Sequence, residues 1–187
     1  NGLLTDRTGG DRESVADFSQ QTYGASFSGP IIEDKLFFFT NVEIQDDQVP
    51  QPFAGDYDGD TNLDSIQFLR DFVRDEYGYD PGDFGSRTST LEGFKFFGKI
   101  NWNINDVHKL AIRHAYTRAE NTDFNGSSRS RINFANNGVF FPSTTNTSAI
   151  ELNSLFSSRA SNNLIIGFTS VRDDRDPIGD PFPAVRI

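Results

Sequence analysis

The stretch Leu36–Gln45, with the sequence LFFFTNVEIQ, decides the fold of this chain. Its side chains alternate between two faces, which is the period of a β-strand. One face carries Leu36, Phe38, Thr40, Val42 and Ile44, and the other carries Phe37, Phe39, Asn41, Glu43 and Gln45. The stretch therefore predicts a strand with one mainly apolar face and one more polar face.

The same two-residue period recurs in five further stretches between Tyr23 and Val171. Together they predict six strands, near residues 22–29, 35–46, 92–103, 108–120, 148–158 and 163–173. In most of them one face is apolar and the opposite face is small, polar or charged. Six alternating stretches with a single helical pattern between them indicate an all-β, antiparallel fold.

The connections between these strands alternate in length. Short turns lie at 29–35, 103–108 and 159–163, whereas long segments lie at 46–92, at 121–147 and after residue 172. In an antiparallel sheet this order places every short turn at one end and every long loop at the other. That sorting is typical of transmembrane β-barrels, which have short periplasmic turns and long extracellular loops.

The fold class predicted is therefore an antiparallel transmembrane β-barrel, present as a fragment of about six strands with long extracellular loops and one loop helix. The smallest membrane barrels have about eight strands. We expect residues 1–187 to form one sector of a larger barrel whose plug and remaining strands lie outside this sequence. A soluble β-sandwich that binds carbohydrate and holds a calcium loop is the alternative fold.

Composition excludes several functional classes. The 187 residues include 27 acidic and 17 basic side chains, 19 phenylalanines and no cysteine, for a net charge of −10. Without cysteine there is no disulfide scaffold or thiolate site, and the acidic balance argues against a nucleic-acid partner. No Ser/His/Asp arrangement, phosphate-binding glycine loop or metal-spaced histidine pair is present, so we expect neither an enzyme nor a bound cofactor.

The long first loop contains the helical pattern. Ile66, Leu69, Val73 and Tyr77 share one face, with Phe72 beside them. Asp64 followed by Gln67 predicts a capping box at the start, and Gly78 predicts the end. A loop that contains a helix is expected to be packed and to cover the barrel mouth.

Acidic residues at alternate positions precede this helix, namely Asp56, Asp58, Asp60, Asn62 and Asp64. Oxygen ligands at this spacing resemble the opening of a calcium-binding loop. The twelfth position is Gln67, however, where such a loop needs a bidentate glutamate. An Asp/Gly turn that favours the helix N-terminus is the preferred alternative, and we expect that calcium is not essential.

The remaining candidate residues lie on the strands and in the second long loop. His114 falls on an apolar face, which indicates either a protein neighbour or a bulge that shifts the register, and His108 falls in a short turn. A lumenal charge network is predicted from Glu43, Lys95, Lys99, Arg113 and Glu151. The second loop combines cations with aromatic rings, a mixture suited to recognition, in Arg129, Arg131, Phe134, Phe140 and Phe141.

Several stretches resemble TonB-dependent outer-membrane receptors of the Bacteroidetes type, particularly the Oar-like branch with a carboxypeptidase-regulatory-like N-terminal domain. Residues 23–43, YGASFSGPIIEDKLFFFTNVE, are similar to the first barrel hairpin of that family. Residues 77–85, YGYDPGDFG, resemble its first long loop, and residues 97–110, FGKINWNINDVHKL, resemble its second hairpin. Residues 151–154, ELNS, and 181–183, PFP, also match the pattern.

The resemblance implies a barrel of about 22 strands with a plug, located in the bacterial cell outer membrane. It implies active uptake of a large or scarce substrate of unknown identity, driven through the plug by a TonB–ExbB–ExbD system. The expected partners are outer-membrane lipid and also a surface lipoprotein or other outer-membrane subunits. The alternative function is a non-transporting barrel that acts as an adhesin or as a structural subunit of a surface complex.

Overall fold

The computed structural model describes residues 16–53 and 57–181, which form one antiparallel sheet and a set of loops at one end of it. The six long strands follow one another in sequence order across the sheet. They are β1 (Ser19–Ile32), β2 (Leu36–Gln51), β3 (Arg87–Asn103), β4 (His108–Asp123), β5 (Val139–Ser157) and β6 (Ala160–Asp173). A two-residue strand, β7 (Asp176–Pro177), pairs with the start of β5.

The six predicted strands are confirmed, but most of them are longer than predicted at the end that carries the long loops. The largest difference is at β5, which begins at Val139 rather than near residue 148. Residues 142–148, PSTTNTS, do not alternate between apolar and polar side chains, so their sequence does not predict a strand. They nevertheless pair residue for residue with β4, and threonine is a residue that strands favour.

The three short connections all lie at the other end of the sheet. The first is a turn at residues 33–35, where Asp34 adopts a positive φ of 58°. Asp tolerates this conformation because its short polar side chain can hydrogen-bond locally. The other two short connections lie between β3 and β4 and between β5 and β6. The predicted sorting of short and long connections by end is therefore present.

Neighbouring strands align their apolar residues into continuous cross-strand rows. One row runs from Phe38 through Ile100, Ile112 and Ile150 to Ile166. The next row toward the short turns contains Leu36, Trp102, Leu110, Leu152 and Leu164. We call the side with these rows the apolar face and the opposite side the polar face.

The described residues form a single layer, with no second sheet packed on the apolar face. Strands β1 and β6 are the two edges and do not pair with each other, so this sheet is not closed. No described side chain is less than 2% exposed, and Ile166 and Phe168 on the apolar face are 62% and 68% exposed. None of the described helices is both long and apolar enough to cross a membrane.

The loop between β2 and β3 contains helix α1 (Leu63–Tyr77), as predicted, but it begins differently. The N-cap is Asn62, whose side chain accepts a hydrogen bond from the Ser65 backbone N–H at 2.8 Å, so the capping box starting at Asp64 is wrong. Gly78 ends the helix with a φ of 65°, as predicted, and its N–H bonds to the Arg74 carbonyl.

The predicted apolar face of α1 is only partly confirmed. Ile66 is buried and Leu69 and Val73 are half-buried. Tyr77, in contrast, is 65% exposed and lies against Phe72, with the ring centroids 6.0 Å apart.

Candidate functional site

Three loop segments pack together above the sheet, and we call them the loop cap: residues 57–86, 124–138 and 174–181. The second segment contains a short 3₁₀ helix, Ala135–Asn137, whose backbone meets the first segment. The N–H groups of Ala135 and Asn136 donate to the carbonyls of Asp83 and Pro81, at 2.9 and 3.0 Å. The third segment joins through the Ile178 N–H, which donates to the Gly138 carbonyl.

Arg87, the first residue of β3, connects the first two segments of the loop cap. Its guanidinium donates to the backbone carbonyls of Asp83, Asn125 and Asn133 and lies 5.7 Å from the centre of the Phe124 ring. A planar guanidinium with five N–H donors can satisfy several carbonyls at once. Arg87 Nε is buried without a hydrogen-bond partner among the described residues. The geometry indicates that Arg87 fixes the positions of the two loops.

Aromatic rings fill the space between the same loops. Phe84 lies between Phe53 and Phe134, with ring centroids 6.4 and 5.8 Å away in edge-to-face arrangements. The Tyr79 side chain is buried and its hydroxyl accepts a hydrogen bond from Asn136 Nδ2 at 2.6 Å. The loop cap therefore contains a small core of its own.

Gly82 lies at a close contact between the first two segments. Its φ is 80°, and a Cβ at this position would lie 2.6 Å from the Cβ of Ala135. A side chain at position 82 would therefore force the segments apart.

The residues of the predicted calcium loop make different contacts from one another. Asp58 forms an ion pair with Arg129 at 3.0 Å, and Asn62 is engaged as the N-cap of α1. Asp60 and Asp64 line an open pocket of about 420 Å³, whereas Asp56 lies outside the described residues. Among the described residues, no three His, Asp or Glu side chains come together as a metal-binding group. The calcium hypothesis stays a prediction that chelation can test.

The predicted charge network lies on the polar face and contains two carboxylates with different partners. Glu43 pairs with Lys95 on the neighbouring strand, at 2.6 Å. Glu151 accepts hydrogen bonds from the amides of Asn153 and Asn163, at 3.0 and 2.9 Å, and lies 3.9 Å from Arg113. Each carboxylate is thus hydrogen-bonded across strands.

The two histidines both contact serines of β5. His114 Nδ1 lies 2.8 Å from Ser148 Oγ on the apolar face, and the pairing of β4 is continuous on both sides of it. The predicted alternative of a bulge at His114 is therefore wrong. His108 Nδ1 lies 2.7 Å from Ser154 Oγ.

The mixture of cations and aromatic rings in the second loop predicted Arg129, Arg131 and their aromatic neighbours as candidate residues, but no pattern predicted Arg87. The structure places Arg129 against Asp58 and Phe134 against Phe84, so part of the selected set does join the two loops. Arg87 stands at the start of a strand with no charged or aromatic residue beside it in sequence, between Ser86 and Thr88. Its partners are backbone carbonyls up to 46 residues away, for which no sequence pattern exists.

No protein-family model, no curated protein and no solved structure matches this chain.

Proposed function

We propose that this chain is a sector of the barrel wall and outer loops of an outer-membrane active-transport receptor. The observation that carries the proposal is the uncovered apolar face, which spans all six strands. Soluble monomers rarely expose apolar patches larger than about 300–600 Å². In a bilayer the same face is buried against hydrocarbon, and the backbone groups within the sheet are already paired.

The distribution of charge supports a lipid-facing role. From the row of Leu36 and Trp102 up to the row of Val42 and Phe96, the apolar face of the six strands carries no Asp, Glu, Lys or Arg. Two rows further on, three adjacent strands present Asp46, Glu92 and Glu120 side by side. An uncharged band that ends at charged rows is what a hydrocarbon layer between two aqueous interfaces requires.

The upper edge of this band slopes across the sheet. Taken as the last apolar side chain before the polar rows, the edge lies at Ile44 on β2 but at Phe168 on β6, and Phe168 aligns with Thr40, four residues lower along β2. Four residues correspond to about 14 Å along a strand, and the four steps between β2 and β6 correspond to about 19 Å across the sheet. Strands tilted by about 35–40° to the membrane normal produce this slope, and membrane barrels have tilts of about 35–45°.

Aromatic residues lie at both edges of the band. Tyr23, Phe94 and Tyr116 stand near the upper edge, and Trp102 stands at the lower edge, where it is 45% exposed. Such rings favour the interfaces of a bilayer, where one end of the side chain is apolar and the other is wet.

The transport role rests on the resemblance of residues 23–43, 77–85 and 97–110 to TonB-dependent receptors and on the division of the chain into a polar face and a packed loop cap. In this proposal the polar face lines the lumen and the loop cap lies at the outer mouth, where substrate first binds. Energy would come from a TonB–ExbB–ExbD system acting on a plug.

The experiment uses the full-length protein that contains this chain, in its native cells. We expect it in the outer-membrane fraction, extracted only by detergent and migrating differently in electrophoresis before and after boiling. We also expect it to be retained by an immobilised periplasmic domain of TonB. Recovery in the soluble fraction without detergent would overturn the barrel. An outer-membrane barrel that TonB does not retain would instead support the adhesin or structural-subunit function.

A further inference from the structure

The middle of the polar face has an excess of positive charge, although the whole chain has a net charge of −10. Between the row of Glu43 and the short turns, this face carries four cations, Lys95, Lys99, Lys109 and Arg113, and two anions, Glu43 and Glu151. The acidic residues of the chain lie mainly elsewhere. The local excess of cations therefore needs its own explanation.

Lys99 and Arg113 are direct cross-strand neighbours. Side chains at such positions point to the same face with their Cβ atoms about 5 Å apart, and like charges placed there repel each other. Lys99 forms no ion pair with any described residue, and Arg113 reaches only Glu151, at 3.9 Å. Glu151 is already held by two amides through its other oxygen. One shared carboxylate leaves the two cations undercompensated.

The surroundings leave room for a ligand beside this pair. On β4, Ala111 and Ala115 flank Arg113 on the same face, and across the strand pair Arg113 faces Ala149. These short side chains leave room around Arg113, whose side chain is 45% exposed. On the other side, Phe39 lies opposite Lys99 and packs edge-on against Phe97, with ring centroids 5.9 Å apart. The two cations thus lie between aromatic side chains on one side and small side chains on the other.

We propose that Lys99 and Arg113 form a binding site for an anionic group, a carboxylate or a phosphate, on the polar face. A guanidinium binds either group through paired N–H donors, and the ammonium adds a second charge. The anion is supplied by a free ligand or by a carboxylate from another segment of the same chain. The inference rests on the proposed function only in treating the polar face as the lumen of the barrel.

The test titrates the purified full-length protein with inorganic phosphate and with succinate by calorimetry. Lys99→Gln and Arg113→Gln are each expected to weaken binding at least tenfold. Lys109→Gln is the matched control, because this lysine lies on the same face opposite Asn103 and Asn153 rather than opposite a cation. It is expected to change binding by less than twofold.

Thermal unfolding separates the two sources of the anion. If a carboxylate of the same chain occupies the site, added anions do not bind, and Lys99→Gln and Arg113→Gln lower the melting temperature more than Lys109→Gln does. The proposal is overturned if the wild-type protein binds neither anion and the two variants melt at or above the wild-type temperature. It is also overturned if both variants bind as the wild type does. The titration uses purified protein, so its result does not depend on the cell fraction from which the protein is recovered. It therefore tests the anion site separately from the proposed location in the outer membrane.

Discussion

The sheet and the loop cap are stabilised in different ways. Of the three hydrophobic side chains that are buried within residues 16–53 and 57–181, Ile66 and Tyr79 lie in the loop cap and Ala149 lies in a strand. The loop cap has an aromatic core of its own, and the guanidinium of Arg87 in β3 binds its backbone carbonyls. The sheet has paired strands but leaves its apolar face uncovered among the described residues, and in the proposed barrel this face would be buried by lipid. A difference of this kind is expected where one part of a protein meets lipid and the other meets water.

The largest expected effect comes from placing a charge on each side of the sheet in turn. Ile112→Arg on the apolar face is expected to cost about 2–4 kcal/mol of stability in lipid, because an arginine near the bilayer midplane loses its hydration. Ala111→Arg, the adjacent residue on the polar face, is expected to cost much less. Urea titration in lipid vesicles measures both changes. Equal losses for the two variants would contradict the assignment of the faces.

The second effect is confined to the loop cap. Arg87→Ala removes a guanidinium that binds three backbone carbonyls, and hydrogen bonds from charged groups contribute about 1.5–3 kcal/mol. We expect faster amide hydrogen exchange at residues 79–86 and 124–138, with unchanged exchange in β3 and β4. Arg129→Ala is the control, because its exposed ion pair with Asp58 is worth at most about 1 kcal/mol. If both variants behave alike, Arg87 does not organise the loops.

A smaller effect is expected at the start of α1. Asn62→Ala removes the N-cap hydrogen bond and is expected to destabilise the helix by about 0.5–2 kcal/mol. Asp64→Ala, at the N-cap position predicted from sequence, removes a carboxylate near the helix N-terminus but no cap hydrogen bond, and it is expected to cost less than about 1 kcal/mol. Hydrogen exchange of the α1 amides distinguishes the two. A larger effect at Asp64 would restore the original capping-box prediction.

The smallest effect is expected from calcium removal. Because Asp58 is paired with Arg129 and Asn62 with the Ser65 N–H, neither side chain depends on a metal ion for a partner. Chelation with EGTA is therefore expected to leave hydrogen exchange over residues 57–77 unchanged. Faster exchange in this segment after chelation, reversed by calcium but not by magnesium, would show that the loop binds calcium.

The strands were predictable because their period is carried by neighbouring residues. The alternation in Leu36–Gln45 and in the other strands located all six. The start of β5 was missed because Pro142 and the polar residues after it have no alternation, and their strand conformation follows from pairing with β4. Local chemistry also identified Gly78 as the helix end, while Asn62 and Asp64 offered competing caps that sequence could not rank.

The candidate sites were harder to predict because they depend on distant contacts. The alternation predicted five of the six charged residues in the middle of the polar face but not Lys109, and the opposition of Lys99 and Arg113 depends on the register between β3 and β4. No sequence pattern predicts the role of Arg87, since the groups it binds are backbone carbonyls from two separate loops. Every residue has a backbone carbonyl, so the sequence does not indicate which carbonyls Arg87 binds. The structure identifies them.

The length of the strands sets the height of the loop cap. On β3 the apolar band ends at Phe94, yet the strand begins seven residues earlier, at Arg87. With the tilt of a membrane barrel, this extension raises the loop cap by about 15–20 Å above the hydrocarbon. In the proposed receptor, the substrate would then first contact the loop cap, which would lie beyond the lipid headgroups. Ligands too bulky to approach the bilayer would still reach this surface.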